Sequence, residues 1–425
     1  MFFREFDLPK APTFPPLSVS VTDFGAREGE CVSCAIAEAI DYVFSHGGGR
    51  VVIPSGEWKC GPIHLKSNID LHLEEGAVLS FSTLREDYLP LVLINYEGIR
   101  CYNYSPMIYA NGEENIAITG KGRFEANGPE WWAWARTSLD GRNRLYKMMV
   151  DTPVSERIFG KETDYLRSPF LQLLNSKNVL VEDVYIHNSP FWTVHIAWCE
   201  GVTVRGITIE NETMSPNTDG INIDASRCAL VENCTLKTLG DDMICLKAGR
   251  NQDAWDVGKS CEDVLIRNCR GVGECRSGGI VIGSEMSGSV RNVRAENCEF
   301  ENNINCVRIK SKDGRGGAVE NIEYKNLKMK KGMRGINLTF RYSSEATDAP
   351  DVPGKYMPEY RNIYFENIEC DNLDIGIAID GVEGGVMENI CMKDINMRAV
   401  QCMTADSVSC LNMSGVSLTE IKKNS

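Results

Sequence analysis

One short pattern recurs along most of this chain. It reads Asn or Asp, an apolar residue, any residue, an apolar residue, a polar residue, then Asn, Asp or Gly before another apolar residue. The copies begin at these positions: Asn115, Asn178, Gly201, Cys228, Asp263, Asn292, Asn321, Asn362 and Asn389. From Asn178 onward the spacing is roughly 23 to 41 residues, which is typical of a solenoid built from stacked structural units.

The apolar residues within each copy alternate with a period of two, which indicates strand, polar turn, strand. Helical solenoids would show longer runs with a period of 3.6, and these are absent after residue 44. Short strands that stack coil on coil predict an all-β, single-stranded parallel β-helix. Before the repeats, Ile36, Ala39, Ile40 and Val43 recur at helical spacing. We therefore predict a helix over 33–44 that covers the open N-terminal end of the stack.

The sequence contains no linker or low-complexity boundary, so we predict one catalytic domain over residues 1–425. Residues 1–20 form a lead-in, and 21–80 form the N-terminal cap and first coils. Two segments, 128–168 and 341–360, interrupt the repeat. The first holds Trp131, Trp132, Trp134, Arg142 and other cations. Long interruptions are usually functional or mobile, and this one is expected to line a sugar site, close one end of a groove, or simply pack on the coils.

The net charge of −14 and the isoelectric point near 5.0 argue against nucleic acid and anionic membranes as partners. An anionic substrate would then need a local basic pocket. The 17 cysteines are scattered, which suggests small buried side chains and free thiols in a reducing compartment. The first residues show neither a basic segment followed by an apolar one nor a membrane span. We therefore expect a cytoplasmic enzyme that meets small fragments, with its oligomeric state left open.

Three carboxylates fall about one repeat apart: Asp219, Asp241 and Asp242. Asp219 and Asp241 are 22 positions apart, and stacked coils lie about 4.8 Å apart, so we expect them to be neighbours on one outer surface. Clustered like charges raise the pKa of at least one carboxyl group, which supplies an acid, while the others activate water. Arg308 and Lys310, two residues apart, lie on one face of a strand and suit an anionic sugar.

Three short motifs occur in this chain in a combination and order that is highly specific. Asn217-Thr218-Asp219-Gly220, Gly240-Asp241-Asp242 and Arg308-Ile309-Lys310 resemble three signature motifs of glycoside hydrolase family 28, the polygalacturonase family. Three further stretches, at 188–192, 282–288 and 314–317, resemble bacterial and often exo-acting members. The resemblance implies a right-handed parallel β-helix and hydrolysis of pectic oligosaccharides with inversion, without a metal or cofactor.

The resemblance also implies roles. Asp241 would be the general acid, and Asp219 and Asp242 would activate the attacking water. Arg308 and Lys310 would hold the substrate carboxylate, and Asn217 would orient Asp219 or a sugar hydroxyl. Two further residues are substrate-binding candidates from their positions: His195 would line the cleft, and Tyr342 would offer a stacking surface.

One stretch departs from the family pattern. Polygalacturonases usually carry Gly-His-Gly where this chain reads Arg276-Ser277-Gly278-Gly279, a feature shared with some rhamnogalacturonan-directed members. The leading hypothesis is an exo-polygalacturonase that releases galacturonic acid from chain ends. The alternatives are a rhamnogalacturonan hydrolase or α-L-rhamnosidase of the same family, a calcium-dependent pectate lyase on a similar fold, and a non-catalytic carbohydrate-binding β-helix.

Overall fold

The computed structural model describes residues 3–137, 139–161, 163–343 and 356–422. Parallel strands from Ser18 to Glu420 join one 27-stranded sheet that winds around a common core. The predicted all-β, right-handed parallel β-helix is confirmed. Much of the predicted excursion at 341–360, with Pro350 and Pro353, lies outside the described residues.

Each coil contributes to three stacks of strands, called here the first, second and third sheets. The first sheet contains Ser18–Ser20, Gly49–Ile53, Ile69–Leu73, Glu114–Gly120, Lys177–Glu182, Glu200–Arg205, Arg227–Glu232, Cys261–Arg267 and Ser409–Ser414. The second contains Gly56–Cys60, Ala77–Phe81, Arg123–Glu125, Tyr185–His187, Thr208–Asn211, Thr235–Thr238 and Ser417–Glu420. The third contains Ile63–His64, Ile108–Asn111, Leu171–Leu174, Val194–Ala197, Ile221–Asp224 and Ile244–Lys247. Long bent strands continue more than one sheet: Arg270–Gly283, Val290–Lys310, Ala318–Thr339, Glu359–Asp380 and Val386–Asp406.

The first residue of the repeated pattern takes a backbone conformation that explains its identity. In every copy named above its φ lies between 50° and 72°, a left-handed region that Gly and Asn tolerate best. The asparagines also form a ladder: Asn115 donates to Asn68 at 2.9 Å, and Asn178 donates to Asn115 at 3.0 Å. The pattern therefore encodes the turn that starts each strand of the first sheet.

The apolar positions of the pattern stack into columns inside the coil. One column pairs these residues from coil to coil: Ile116, Val179, Val202, Ala229, Val264, Val293, Ile322, Ile363 and Ile390. None is more than 1% exposed. Burying an aliphatic side chain of this size contributes about 1.5–3 kcal/mol, so the columns stabilise the scaffold that carries the outer face.

The N-terminal helix α1 spans Ser33–Ser45, as predicted to within one residue. It buries Ala35, Ile36, Ala39, Ile40 and Val43, and these side chains belong to the main apolar core. The helix contacts strand Gly49–Ile53 of the first coil. It therefore covers the end of the stack, where exposed strand edges would otherwise invite association.

The interruption at 128–168 is largely helical, where the sequence pattern suggested a loop. It contains α2 (Pro129–Trp132), α3 (Trp134–Thr137) and α4 (Leu139–Asp151), and α5 (Asn251–Val257) follows later in the chain. The strands Val92–Tyr96 and Ile99–Asn103 form an antiparallel pair, and Ile99–Asn103 also pairs in parallel with Ile158–Phe159. We call residues 92–103 and 139–159 the wall. Together with Phe191 and Trp192, the wall has its own apolar core.

The wall covers the outward face of the third sheet at its N-terminal coils. Gln172, His195 and Asp224 occupy outward positions there, yet each is 0% exposed. Buried ion pairs fix the wall in place: Asp253 of α5 contacts Arg100 at 3.0 Å and Arg157 at 2.6 Å. Among the described residues, no helix is both long and apolar enough to cross a bilayer.

Candidate active site

The catalytic candidates lie at the corner between the second and third sheets. Ile221 pairs with Ile244 on the next coil. Asp219 comes two residues before Ile221, and Asp242 comes two residues before Ile244, so the two aspartates lie level with each other on adjacent coils. The sequence paired Asp219 with Asp241 by spacing, and the register shows that Asp242 is the level neighbour. One carboxylate oxygen of each lies within 4.8 Å of the other, close enough for both to contact one water.

Of the three carboxylates, that of Asp242 accepts the most hydrogen bonds from the described residues. Lys310 Nζ donates to its Oδ2 at 2.8 Å, and the Gly278 amide donates to its Oδ1 at 3.0 Å. The Ser277 hydroxyl donates to the same Oδ1. Burial opposes ionisation, but Lys310, Lys247 and these hydrogen bonds outweigh it and lower the pKa of Asp242 to about 2. Asp242 is therefore ionised at neutral pH.

The segment 276–279, which lacks the histidine that is usual in the family, supplies two of these hydrogen bonds. Ser277 and Gly278 lie within this segment, and both donate to Asp242. In this chain, the segment therefore holds one of the three candidate carboxylates directly.

Asp219 is 2% exposed and lies beside a buried cation. Lys247 Nζ is 3.5 Å from Asp219 Oδ2 and 3.1 Å from Glu285 Oε2. Burial, followed by the charge of Asp241, raises the pKa of Asp219, and Lys247 opposes this. Lys247 itself keeps its charge, because the neighbouring acids overcome burial and raise its pKa. It is also 4.4 Å from the ring centroid of Trp192.

Asp241 differs from both neighbours. The only hydrogen bond that its carboxylate accepts from the described residues is from the Asp242 amide, at 2.9 Å, and within them no Lys or Arg nitrogen forms an ion pair with it. Burial and then the fixed charge of Asp242 raise its pKa. Asp219 and Asp241 are thus both candidates to hold a proton, and of the two Asp241 is the one without an ion-pair partner among the described residues.

These carboxylates line a cavity of about 300 Å³. Lys247, Arg250, Lys310 and Arg315 bring positive charge to it, and the wall contributes Glu97, Arg142 and Tyr146. Along the stack, Trp192 lies one coil before Asp219, whereas Lys310 lies on a later coil than Asp242. The wall residues therefore line the N-terminal end of the cavity, and Tyr342 lines the C-terminal end.

Asn217 and Tyr342 line the cavity, where the sequence placed them. The buried Arg167 donates to Asn217 Oδ1 at 2.9 Å, which leaves the Asn217 amide nitrogen as a donor for a ligand hydroxyl. The Tyr342 ring lies 5.3 Å from Lys310 Nζ and 5.4 Å from Arg308 Cζ.

Arg308 and Lys310, which the sequence predicts to act as a pair, contact different residues. Lys310 lines the cavity, but its ammonium group is bonded to Asp242, so its first partner is a catalytic carboxylate. Arg308 sits on the neighbouring outward column of the sheet and lies against the ring of Tyr342, which lines the cavity. That Arg308 and Lys310 hold the substrate carboxylate stays a prediction.

The prediction that His195 lines the cleft is wrong. His195 is 0% exposed and lies beneath Trp192, with ring centroids 4.8 Å apart. Gln172 donates to its Nδ1 at 2.8 Å, and its Nε2 donates to Asp224 at 3.2 Å. Burial lowers its pKa, so it is a neutral structural residue. The wall over this coil hides a position that the strand pattern alone places outward.

Several cavity residues were missed from the sequence. Lys247 ends the apolar strand Ile244–Lys247, and its outward position was the available signal. Glu285 and Arg315 belong to stretches whose family resemblance was noted without a role, and they contact each other at 3.7 Å. Glu97 lies in a turn more than 120 positions before Asp219, and no sequence signal connected it to the site.

One group of side chains could hold a metal ion. Asp219, Asp242 and Cys245 bring ligand atoms within 4.8 Å of one another. Calcium takes six to eight oxygen ligands, and burial raises the pKa of the Cys245 thiol, so it stays protonated. Lys247 and Lys310 already supply positive charge to the two carboxylates. The chemistry of this group does not fit calcium.

Comparison with known proteins places the chain among pectin-degrading enzymes. A family model described as glycosyl hydrolases family 28 matches residues 159–420. A probable polygalacturonase from Vitis vinifera is 27% identical over 412 residues, which cover 94% of this chain and 78% of that protein. An exo-poly-alpha-D-galacturonosidase from Dickeya chrysanthemi is 27% identical over 383 residues, covering 84% of this chain and 62% of that protein.

A solved structure agrees over nearly the whole length. The crystal structure of a hyperthermoactive exopolygalacturonase from Thermotoga maritima is 34% identical, with a TM-score of 0.90. The match covers 97% of this chain and 94% of that chain. The match therefore extends to the N-terminal part of the chain, which the family model does not reach.

Proposed function

The chain belongs to glycosyl hydrolases family 28, and from that premise we propose that it releases galacturonic acid from the ends of pectic chains. It is a glycoside hydrolase. The observation that carries the finer proposal is the cavity: three carboxylates at one site, with wall residues lining one end. We infer that the wall closes this end, so that the cavity admits a chain terminus and excludes a continuous polymer.

The three carboxylates support a division of roles. Asp241 donates its proton to the glycosidic oxygen, since its pKa is raised and it has no ion-pair partner among the described residues. Asp219 and Asp242, level on adjacent coils, hold the attacking water. Asp219, whose pKa is raised by burial, accepts the proton of that water, whereas Lys310 keeps Asp242 charged. The bond from the anomeric carbon to the leaving oxygen breaks as the bond to water forms, which inverts the anomeric centre.

The cations around the cavity support an acidic substrate. Arg250 and Arg315 line it with Lys247 and Lys310, in a protein whose net charge is −14. With Arg142 these cations equal in number the five acids that line the cavity, so the lining is formally neutral in a protein that is otherwise strongly acidic. A uronic acid next to the cleaved bond therefore meets less repulsion here than elsewhere on the protein. The relatives described above are named as enzymes that act on galacturonans. These names support a galacturonan over a rhamnogalacturonan as the substrate.

The size of the cavity supports small substrates. Its volume of about 300 Å³ lies at the lower end of the range for small-ligand sites, roughly 300–1,000 Å³. We also propose a cytoplasmic location, supported by cysteines that are all free, as in reducing compartments. Pectic oligosaccharides would then be the substrate.

The test is product analysis on polygalacturonate and on a rhamnogalacturonan oligomer, with and without EDTA. We expect monomeric galacturonate from the first time points, slow loss of viscosity and no effect of EDTA. Early mixed oligomers would contradict exo action. Cleavage of the rhamnogalacturonan alone would change the substrate, unsaturated products would identify a lyase, and binding without turnover would leave only a carbohydrate-binding protein.

A further inference from the structure

Glu97 stands at the closed end of the cavity, in a position that its turn does not explain. Tyr96 pairs with Ile99, so Glu97 and Gly98 form a two-residue hairpin turn with φ values of 48° and 83°. Turns of this kind favour Asn or Asp before Gly, because both central residues have positive φ. A left-handed Glu costs conformational energy, so the reason for a Glu here lies in what its side chain contacts.

The carboxylate of Glu97 is held rigidly toward the cavity. Arg142 of α4 lies 2.9 Å from Oε1 and donates to Oε2 at 3.0 Å. The Tyr146 hydroxyl donates to Oε2 as well. Burial and then Glu97 raise the pKa of Tyr146 to about 12, so Tyr146 stays a neutral donor. Glu97 is 6% exposed, and that surface lines the cavity.

A carboxylate that is fixed in this way still accepts hydrogen bonds. An ionised carboxylate has about four lone-pair positions, and its contacts with Arg142 and Tyr146 leave capacity for one more donor. Arg142 lies against Glu97 and balances its charge, so an acidic sugar is not repelled from this end. The group that reaches Glu97 must therefore be a donor, and in a saccharide the available donors are hydroxyl groups.

The position along the cavity selects which hydroxyl. Asp219, Asp241 and Asp242 act on the glycosidic bond, and Glu97 lies on the wall that closes the cavity. On the terminal sugar of a 1,4-linked galacturonan, the 4-hydroxyl lies across the ring from the bond that is cleaved. A chain end produced by a lyase lacks this hydroxyl, because elimination leaves a double bond between carbons 4 and 5.

We propose that Glu97 is a specificity-determining residue that accepts a hydrogen bond from the terminal 4-hydroxyl and so selects saturated over unsaturated chain ends. The inference rests on the proposed exo-hydrolase function and names the substrate class of the same site. It gives the wall a chemical role in addition to its shape. A site built to bind a hydroxyl discriminates strongly against an analogue that lacks it, since the buried acceptor is then unpaired.

The experiment compares kcat/KM on saturated trigalacturonate and on a trimer with an unsaturated non-reducing end. For the unaltered enzyme, we expect the saturated trimer to be preferred by about 100-fold or more. In Glu97→Gln, kcat/KM on the saturated trimer should fall at least about 10-fold, while the value on the unsaturated trimer changes by less than about 3-fold. Glu156→Gln, an exposed glutamate in the same wall, is the matched control and should leave both values unchanged.

The outcomes separate this inference from the proposed function. Equal rates on the two trimers with the unaltered enzyme would overturn the role of Glu97 and leave exo-hydrolysis intact. No hydrolysis of the saturated trimer would instead reject the proposed function. An equal fall on both trimers in Glu97→Gln would show a structural role and also overturn the inference, and Tyr146→Phe, which removes one donor to Glu97, should reproduce a weaker loss of discrimination.

Discussion

The late coils and the wall are built in opposite ways. From Val290 onward, four long strands pair along nearly their whole length, with the same columns of aliphatic residues and asparagines on every coil. The wall repeats nothing: it combines a hairpin, a helix and buried ion pairs to Asp253. The repeat places Asp219 and Asp242 level with each other, whereas the wall limits how far a chain extends past them. We therefore attribute the cleavage chemistry to the repeated stack, and the choice of the glycosidic bond that is cleaved to the wall.

We expect the largest loss of activity from a substitution at the corner between the second and third sheets, where the three aspartates lie. Asp241→Asn removes the proton donor while retaining shape, and we expect kcat on trigalacturonate to fall by about 10³-fold, since general acid catalysis contributes roughly 10²–10⁴-fold. KM should change little, because the wall and the cations remain. Steady-state kinetics measure this. Asp183→Asn, at an exposed left-handed turn position of the same stack, should retain activity, and an active Asp241→Asn enzyme would refute the assignment.

Loosening the wall should alter the products more than the chemistry. Asp253→Asn removes the charge that holds Arg100 and Arg157, and breaking a buried ion pair typically costs about 3–5 kcal/mol. We expect faster proteolysis within 139–159 and the appearance of products longer than the monomer. Limited proteolysis and chromatography of the products test this. Asp256→Asn, exposed on the same helix, should behave as the unaltered enzyme, and an unchanged product pattern in Asp253→Asn would separate the wall from exo action.

The cation beside Asp242 should set the acid limit of activity. Lys310 holds the pKa of Asp242 near 2, so Lys310→Met raises that pKa and moves the acidic limb of kcat/KM to higher pH. Stability follows the same sign: Asp242 stabilises the fold above its unfolded pKa of about 3.9, and the contribution is lost as pH falls through its folded pKa. Profiles of kcat/KM and of denaturant midpoint against pH measure both effects. Lys331→Met, exposed on a later coil, is the control; an unmoved acidic limb in Lys310→Met would contradict the assignment.

The smallest effect should come from the regular ladder far from the cavity. Asn326 has a φ of 53° and donates to Asn297 at 2.9 Å. Asn326→Ala should lower the free energy of unfolding by about 1–2 kcal/mol, because alanine is strained in the left-handed region. Asn326→Gly should lose less, since glycine adopts that conformation freely. Urea denaturation compares the two variants, and kcat should be unchanged in both; equal losses of stability would remove backbone strain as the cause.

The scaffold was readable from the sequence because each coil repeats the same physical requirements. Asn292 and Asn321 mark left-handed turns, and alternation after them marks inward residues such as Val293 and Ile322. Helix α1 was equally visible from its apolar spacing. The three candidate aspartates could be placed together because they occupy successive coils, although the register sets Asp219 level with Asp242.

The wall was not readable because it depends on contacts between distant and individually unremarkable segments. Helix α4 buries only Gly141, Leu145, Tyr146 and Met149, too few for a clear helical pattern. Glu97 acquires its role from Arg142 and Tyr146, which come from this helix. For the same reason His195 was misplaced: its strand pattern points outward, and only the wall makes that position buried.

The most direct test of the division between stack and wall uses trigalacturonate labelled at its reducing end. Because the wall closes the cavity around the non-reducing terminal sugar, we expect unlabelled monomer and labelled dimer as the first and only initial products. Labelled monomer together with unlabelled dimer would mean that the cavity accepts the opposite end or an internal bond. That result would contradict the claim that the wall selects the bond that the three aspartates cleave.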